Sequence, residues 1–457
     1  MISKRTHLIK PLLGMDYAFI SHGKGIYLYD EDGHAFIDGC SGAVTANIGH
    51  AVPEIKEAMV KQADQVSFVY RSQFTSSSAE LLAERLCRNA PGDLDWVFFV
   101  NSGSEALETA LKIAVQYWQE LGRPTKNRII SRWMSYHGIT MGALSMSGHV
   151  IRRSRFSAML EHYPELSPPY CYRCSYNEHC PNCSKHYALE FEKTIQRLGA
   201  ETIAAFVCEP IIGAAGGAVV PPDSYFKEMK AVCERYDILF IADEVMTGVG
   251  RTGKMYAMEH WGVAPDILAL GKGMSAGYTP MAATLVSDRI ILEIERGSKV
   301  VLSGHTFSAN PLSSAICLAV LDYIEENNLV KNAEEKGDLL LNGLKELQSI
   351  YPFIGDVRGK GLLTAIEFVQ DQLTKEPFLL QNEVTNRFIR KCYDSGLLVY
   401  TAAGGLNGIA GDAVIVAPPL IIQENEVHLL LNKLNQALAE LEKELIIEGI
   451  YSRRSIS

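Results

Sequence analysis

Short apolar runs alternate with longer helix-like patterns along most of the chain. Six of these runs have the length of strands: residues 96–100, 128–131, 203–207, 238–242, 266–270 and 282–286. Their nearly unbroken apolar character is typical of strands in a parallel sheet that is covered on both faces. Because such runs recur before helix-like segments, the pattern predicts an α/β protein.

The pattern changes near residue 325. A helix-like stretch over residues 312–328 is followed by longer amphipathic helices and alternating segments. We therefore expect a large, mostly parallel-sheet domain over residues 56–325 and a smaller α+β domain over residues 326–457. The N-terminal segment, residues 1–55, is expected to belong to the smaller domain.

Composition and charge narrow the class of partner. The 457 residues are 47% hydrophobic, and 43 Lys plus Arg against 53 Asp plus Glu give a net charge of -10. Because the acidic excess is spread along the chain, a small molecule is expected as the partner, and nucleic acid and membrane surfaces are not. Charges, Pro11 and Gly14 interrupt the first twenty residues, and no run approaches the roughly twenty apolar residues of a membrane span. The sequence thus predicts a cytoplasmic enzyme.

Chemically active residues follow five of the predicted strands directly. They are found in the segments NSGSEA, SYHG, CEP, DEV and GKG. In parallel α/β sheets, ligands bind at the carboxyl ends of the strands. We therefore expect these five segments to converge on one pocket.

The first two segments have features of a cofactor site. Ser102 and Glu105 in NSGSEA have the spacing of a capping box, and Gly103 lets the backbone approach a ligand closely. The free N–H groups of such a helix start, with the hydroxyl of Ser104, could bind a phosphate. A well-capped helix without a ligand explains the same residues. Tyr136 in SYHG is a candidate for stacking on a flat cofactor, although such a tyrosine is more often part of the core.

Asp243 ends a strongly apolar strand. An isolated carboxylate is costly there unless it meets a cation or a protonated ring nitrogen; a salt-bridged structural aspartate is the alternative. The glycines of the GVGRTG stretch that follows match a dinucleotide-binding pattern, but five residues separate the strand from the first glycine, so the tight turn is missing. Met255 also stands where a P-loop has Ser or Thr. The dinucleotide interpretation is therefore rejected, and a P-loop here would lack the hydroxyl of its metal-binding step.

Lys272 lies between Gly271 and Gly273 just after another apolar strand, and the two glycines are expected to give the backbone around it unusual freedom. Partial burial lowers the pKa of an amine, which favours the neutral form that can bond a carbonyl carbon. A solvated surface lysine is the usual alternative, but it leaves the phosphate-type helix start and the strand-end aspartate unexplained. Lys272 and Asp243 are therefore the candidate catalytic residues.

Six motifs, in their order and spacing, resemble those of the class III pyridoxal-phosphate-dependent aminotransferases of fold type I: NSGSEA, YHG, EPI, DEVMTGVGRTG, LGKG and GHTFSANP. The likeness runs from about residue 20 to about residue 425. The resemblance implies pyridoxal 5'-phosphate as the cofactor. It also implies a large, mostly parallel-sheet domain with a smaller α+β domain beside it.

The resemblance further implies which residues bind this cofactor: Gly103, Ser104, Tyr136, Asp243, Val245, Lys272 and Thr306. Lys272 would carry the cofactor covalently, and Asp243 would pair with its pyridine nitrogen. Val245 and Tyr136 would pack on the two faces of its ring, while the two residues at the helix start hold its phosphate. Thr306 would reach in from the neighbouring subunit, which implies a homodimer or a higher oligomer with shared active sites.

Other positions bear on the substrate. By the resemblance, Glu209 stands where the family often has a carboxylate that partners a mobile arginine, and Tyr400 stands where many relatives have that arginine. Met246 stands where ornithine, acetylornithine and 4-aminobutyrate aminotransferases usually have glutamine. This indicates the amine or ω-amino acid:pyruvate and diaminopelargonate-type group. Val44 and Tyr70 are candidate residues of the substrate pocket.

A cysteine cluster lies in an insertion near residues 168–186. Cys171, Cys174, Cys180 and Cys183 form two C-x2-C pairs separated by five residues. Paired C-x2-C spacing is a zinc signature, but about fifteen or more residues usually separate the pairs. Disulfides or free thiols are the alternatives. Because aminotransferase chemistry requires no metal there, no metal is predicted for the active site.

Three functions fit the sequence. The favoured one is amino transfer from an amine or ω-amino acid to a keto acid, pyruvate above all, by a ping-pong mechanism. The second is another reaction on the same cofactor, such as that of a racemase, aminomutase or decarboxylase, because Lys272 and Asp243 would serve these as well. The third is a regulatory protein that binds a metal at the cysteine cluster or a nucleotide at the glycine-rich segment.

Overall fold

The strands of the computed structural model form three sheets within the residues that it describes, which are 7–177, 183–402, 406 and 410–453. In chain order the strands are β1 (Ile20–Lys24), β2 (Tyr27–Asp30), β3 (Ala35–Ile37), β4 (Trp96–Val100), β5 (Arg128–Arg132), β6 (Pro164–Leu166), β7 (Ile203–Cys208), β8 (Leu239–Asp243), β9 (Ile267–Leu270), β10 (Ala282–Val286), β11 (Ile354–Lys360), β12 (Leu363–Phe368), β13 (Tyr400–Thr401) and β14 (Asp412–Val416).

The helices pack around these sheets. In chain order they are α1 (Ser41–Val44), α2 (Pro53–Gln65), α3 (Ser77–Arg88), α4 (Gly103–Glu120), α5 (Met141–Met146), α6 (Val150–Arg153), α7 (Cys183–Leu198), α8 (Tyr225–Arg235), α9 (Asp288–Arg296), α10 (Pro311–Glu326), α11 (Leu329–Ile350), α12 (Val384–Asp394) and α13 (Glu424–Ile447). Single 3-10 turns lie at Ser157–Met159, Cys171–Arg173, Ala200–Thr202, Ala257–Trp261, Lys272–Met274 and Leu380–Asn382. None of these helices has both the length and the apolar composition needed to cross a bilayer, within the ranges just given.

The largest sheet has the strand order β4-β10-β9-β8-β7-β5-β6. It contains the six strands that the sequence predicts, each end within one residue of its predicted position. The pairs from β9 to β6 are parallel, whereas β10 is antiparallel to both of its neighbours. The direction of β10 follows from the connection over residues 271–281, which is shorter than the dozen or more residues that a parallel crossover requires. The α/β prediction is thus confirmed.

One strand of this sheet is absent from the sequence prediction. It is β6, a three-residue edge strand that begins with Pro164. Proline donates no backbone hydrogen bond, so it is tolerated at the edge of a sheet or at the first position of a strand. A segment this short and interrupted by proline carries too weak an apolar pattern to be recognised.

Helices cover both faces of this sheet, as its apolar strands predict. Phe206 and Phe240 belong to one hydrophobic cluster, together with side chains of α7 and α8. Their strand neighbours Val207 and Ile241 belong to a second cluster on the opposite face, together with side chains of α4. Successive side chains of a strand point to opposite faces of the sheet, so each strand is packed on both sides. This packing fixes the positions of the carboxyl ends of the strands.

The two smaller sheets are antiparallel. They have the orders β1-β2-β3 and β11-β12-β14-β13. Backbone hydrogen bonds link the N-terminal segment to the C-terminal part of the chain, because Ile37 donates to Gly396 O at 2.9 Å and Ala417 donates to Gly39 O at 2.8 Å. The domain boundaries themselves stay predictions.

The cysteine-containing insertion contacts the second of these small sheets. Tyr170 donates to the buried carboxylate of Glu367 on β12, which also forms ion pairs with Arg173 and Arg358. In the insertion, Cys171 is exposed, Cys174 is half-buried and Cys183 is buried at the start of α7. Cys180, the fourth cysteine of the predicted cluster, lies outside the described residues.

Candidate active site

The ends of β8 and β9 bring the two candidate catalytic residues to the same edge of the central sheet. Asp243 is the last residue of β8 and pairs in register with Ala269 of the parallel neighbour β9. Lys272 follows the end of β9 after one glycine. The carboxyl ends of parallel strands lie on one edge of a sheet. The structure therefore brings Asp243 and Lys272 together, as the sequence predicts.

The Asp243 carboxylate is held by two neighbours. Its Oδ2 atom lies 2.7 Å from Nδ1 of His137, and its Oδ1 atom accepts the N–H of Val245 at 3.0 Å. Both side chains of the Asp243 and His137 pair are buried. The arrangement fixes the orientation of the carboxylate before any ligand arrives.

His137 is a site residue that the sequence argument did not assign. Its own N–H donates to Ser147 Oγ at 2.8 Å, and Nε2 is buried without a hydrogen-bond partner in the described structure. The available signal was its place in SYHG, directly after a strand of the sheet. Its pairing with Asp243 spans 106 residues in sequence and could not be read from local spacing.

The backbone at Lys272 is strained. Its φ angle is 39°, in the left-handed region that side-chain-bearing residues rarely adopt, and such strain clusters at functional sites. The sequence suggested that the flanking glycines supply freedom of movement. The structure adds a packing reason for glycine, because a Cβ at Gly273 would lie 2.2 Å from Nδ2 of Asn47.

The ammonium group of Lys272 is disfavoured. Its side chain is partly accessible, yet burial lowers the pKa of Lys272 to about 8, against the opposing effect of the Asp243 and Glu209 charges. An unperturbed lysine has a pKa near 10.4. A much larger share of Lys272 is therefore neutral and nucleophilic near pH 8 than of an ordinary lysine.

The start of α4 has the groups of an anion site. Ser102 caps the helix by accepting the N–H of Glu105 at 3.2 Å, as its spacing predicts. Ser104 Oγ accepts the N–H of Ile139 at 3.1 Å, which leaves the hydroxyl hydrogen as a donor. The first N–H groups of a helix have no intrahelical acceptor, so they and the Ser104 hydroxyl can together bind a phosphate.

Val245 lies between this helix start and the turn that holds Lys272. A Cβ added at Gly103 would lie 2.6 Å from Val245 Cγ1, and one added at Gly271 would lie 3.2 Å from the same atom. Both glycines therefore allow the valine to pack closely at the sheet edge. Tyr136, on the other predicted ring face, is half-buried, and its N–H donates to Glu209 Oε2 at 3.1 Å.

Two predicted substrate residues lie near Tyr136. The buried carboxylate of Glu209 accepts the N–H groups of Tyr136 and Gly213, and burial raises the pKa of Glu209. Burial is the main cause that raises the pKa of Tyr136. The phenol of Tyr400, in β13, raises it further through its electrostatic effect. The structure thus brings Glu209 and Tyr400 to the Tyr136 side of the site.

The remaining predicted residues differ in how exposed they are. Val44 is buried in the large hydrophobic cluster with a φ of 58°, whereas Tyr70 is 49% exposed. Thr306 is also exposed, in the segment between α9 and α10. The substrate roles of Val44 and Tyr70, and the role of Thr306 towards a second subunit, stay predictions.

Pyridoxal 5'-phosphate fits the donors and acceptors at this edge. The helix start offers N–H and O–H donors for the phosphate, and the buried Asp243 carboxylate suits a protonated ring nitrogen. Lys272 offers an amine of lowered pKa for the aldehyde. Val245, packed against the glycines of the helix start and of the Lys272 turn, offers an apolar side chain between these groups.

Comparisons with known proteins agree with this arrangement. Residues 13–438 match the family described as Aminotransferase class-III. The Bacillus subtilis aminotransferase YodT is 50% identical over 440 residues, which cover 96% of this chain and 99% of that protein. The adenosylmethionine-8-amino-7-oxononanoate aminotransferase of Geobacter sulfurreducens is 36% identical over 426 residues, 92% of this chain and 91% of that protein.

A solved structure shares the fold as well. An (S)-enantioselective ω-transaminase from Thermomicrobium roseum superposes with a TM-score of 0.88 at 37% identity, covering 93% of each chain. The fold class and the family resemblance that the motifs predict are confirmed. The chain belongs to the class III aminotransferases, a family of pyridoxal-phosphate-dependent enzymes, and is itself an aminotransferase.

Proposed function

We propose that this aminotransferase moves an amino group from an amine or ω-amino acid donor to pyruvate in a ping-pong cycle. The observation that carries the proposal is the meeting of Lys272 and Asp243 at the ends of two neighbouring parallel strands, beside the anion-binding start of α4. The likeness to an ω-transaminase supports a donor of this kind.

Each group at the sheet edge has a task towards the cofactor. Pyridoxal 5'-phosphate, when bound, supplies an aldehyde that takes up an amino group and a ring that withdraws electrons from the reacting carbon. The start of α4 would hold its phosphate, and Val245 and Tyr136 would hold its ring. Asp243, oriented by His137, would keep the ring nitrogen protonated and so preserve the electron-withdrawing character.

Lys272 serves as nucleophile and as proton carrier. Its neutral amine would hold the cofactor by its aldehyde carbon, with loss of water, and would be set free when a donor amine takes its place. The free amine could then accept the proton that the donor carbon loses and return it nearby. The cofactor would store the amino group between the two half-reactions, and Lys272 would carry the proton again when pyruvate is the substrate.

The lowered pKa of Lys272 predicts how the cofactor loads. Only the neutral amine bonds the aldehyde, so the loading rate of cofactor-free protein should rise with pH and level off above about 8. The measurement is the rise in cofactor absorbance after mixing, from pH 6.5 to 10. Because the Asp243 charge raises the pKa of Lys272, the Asp243→Asn variant should level off at a lower pH. A wild-type midpoint near the unperturbed lysine value of about 10.4 contradicts the role of burial.

We also propose that two copies of the chain share their active sites. Exposed Thr306 adjoins Phe307, which is 60% exposed and contacts Phe68, itself 41% exposed, at 6.0 Å between ring centroids. Neighbouring exposed aromatic side chains are typical of a subunit interface. This exposed position supports the proposal that Thr306 reaches the active site of a second copy. A cytoplasmic location stays a prediction.

The acceptor is tested by comparing pyruvate with 2-oxoglutarate, using 1-phenylethylamine as the donor. We expect kcat/KM to favour pyruvate by about tenfold or more, because the second carboxylate of 2-oxoglutarate needs a cation that Tyr400 cannot provide. Product alanine or glutamate is measured by chromatography. A clear preference for 2-oxoglutarate shows that the pocket holds a second cation and that the pyruvate assignment is wrong.

The same samples distinguish amino transfer from the alternative reactions. Donor alone should release acetophenone up to the concentration of active sites and then stop until pyruvate is added, as a ping-pong cycle requires. A racemase would instead scramble the chirality of the donor without releasing a carbonyl product. With an amino acid donor, a decarboxylase would release carbon dioxide.

A further inference from the structure

A keto acid brings a carboxylate into the site, and a carboxylate that leaves water requires a cationic partner. Tyr400 cannot supply one. Two arginines lie at this site: Arg251 donates to Asn47, which packs against Gly273, and Arg152 lies over the ring of Tyr136. Besides burial, the charges of both lower the pKa of Lys272. The inference below rests on the proposed function, since it concerns the acceptor of that reaction.

Both terminal nitrogens of Arg251 are already used within the fold, and its Nε atom is buried without a partner in the described structure. Its guanidinium is buried and donates to the backbone carbonyls of Leu362 and Pro418 and to the side chains of Ser41 and Asn47. These bonds join the glycine-rich segment after β8 to the N-terminal and C-terminal parts of the chain. Arg251 is thus a structural residue.

Arg152 differs from both Arg251 and its own neighbour in α6. The guanidinium of Arg153 donates to the carbonyls of Leu144, Ser145 and Ser147. The guanidinium of Arg152 instead lies over the ring of Tyr136, 4.7 Å from its centroid. Nowhere in the described ranges does a carboxylate or carbonyl accept from it, and the side chain is half-buried. Its five N–H donors are therefore available at the predicted cofactor-stacking residue.

The stacking positions Arg152 without using those donors. A cation held over an aromatic face keeps its N–H groups in the guanidinium plane, where they match the two oxygens of a carboxylate. The Tyr136 ring also contacts His149 edge-on, at 6.4 Å between centroids. Burial, assisted by the Arg152 charge, lowers the pKa of His149 to about 4, so His149 is neutral at physiological pH and Arg152 carries the positive charge on this side.

Nearby acids do not compete for Arg152. Glu209 is occupied by the backbone N–H groups of Tyr136 and Gly213, and Asp243 is paired with His137. We propose that Arg152 binds the carboxylate of the keto acid acceptor and so replaces, from a different element, the arginine that is absent at Tyr400. Arg152 is then a specificity-determining residue: acceptors without a carboxylate do not use it.

The test compares two acceptors of similar size, pyruvate and propanal, with 1-phenylethylamine as the donor. In the Arg152→Met holoenzyme we expect kcat/KM for pyruvate to fall by about tenfold to a hundredfold, because hydrogen bonds to a charged group are lost. The value of kcat/KM for propanal should stay within about threefold of the wild type. Arg152→Lys should recover part of the pyruvate activity, because it keeps the charge and loses the bidentate geometry. Arg155→Met, at an exposed position just beyond α6, is the matched control and should behave like the wild type.

A binding measurement separates this inference from the proposed function. Propanoate, which has a carboxylate and no reactive carbonyl group, is titrated into the holoenzyme while the absorbance of the bound cofactor is followed. Its dissociation constant should rise about tenfold or more in Arg152→Met and remain unchanged in Arg155→Met. If wild-type enzyme transfers no amino group to pyruvate but propanoate binding still depends on Arg152, the proposed acceptor is wrong and the carboxylate site stands. Equal losses for pyruvate and propanal, or unchanged propanoate binding, show that Arg152 only supports the Tyr136 ring and overturn the inference.

Discussion

Replacing Lys272 by alanine is expected to lower kcat for amino transfer by about 10⁴-fold, the upper range for loss of a positioned acid–base group. The variant loses the amine that bonds the aldehyde, and it loses the proton carrier beside the reacting carbon. In the wild type, the pKa of Lys272, about 8, and its position after β9 suit both tasks. An ordinary solvated lysine has a higher pKa, about 10.4. The measurement is single-turnover formation of acetophenone from 1-phenylethylamine, with cofactor bound.

Two further variants separate chemistry from folding. Lys272→Arg keeps a positive charge but cannot serve as the nucleophile, so it should be as inactive as the alanine variant. Lys254→Ala removes a 39% exposed lysine paired with Glu334 and should leave turnover within about twofold. Free methylamine should restore part of the rate of Lys272→Ala, because a small amine can enter the space and carry the proton. Turnover of Lys272→Ala near the wild-type rate without added amine refutes the catalytic assignment.

Sequence reasoning succeeds where the signal is local. The strands of the central sheet are continuous apolar runs buried on both faces, so their ends could be placed within a residue. Ser102 caps α4 as its spacing to Glu105 predicts, because a capping box lies within four residues. The order of the motifs then identifies the family, since independent residues at the ends of several strands must all suit one cofactor.

The rest depends on contacts between segments that are distant in sequence. His137 reaches Asp243 across 106 residues, and Arg152 reaches Tyr136 only because α6 returns to the sheet edge. At Gly273 the sequence could not show the close packing, since the side chain that occupies the space beside it belongs to Asn47, far away in the chain. Such distances are properties of the packed fold, and no spacing rule within one segment contains them.

The Asp243→Asn variant is expected to lower kcat by about 10²- to 10³-fold, the usual loss when one preorganised electrostatic partner is removed from a reacting group. Asparagine has nearly the same shape and can still accept the N–H of Val245, but it has no negative charge to keep a ring nitrogen protonated. The reacting carbon then loses its proton more slowly. Deuterium at this carbon of the donor should therefore slow the variant more than the wild type, which is measured in single turnovers.

Glu244, the next residue in the chain, provides a matched control for this effect. Its buried carboxyl group accepts the N–H groups of Ala257 and Met258, and burial raises the pKa of Glu244 to about 8. The group is therefore mostly protonated at pH 7, so Glu244→Gln removes little negative charge. Its amide nitrogen faces one of the two N–H donors, which lowers stability, but kcat of the folded variant should change by less than about threefold. If Asp243→Asn and Glu244→Gln lose activity equally, the negative charge at Asp243 has no special role and the loss reflects disturbed packing at the end of β8. If kcat falls strongly only in Asp243→Asn, and the deuterium isotope effect increases there, the negative charge that the reaction requires is that of Asp243.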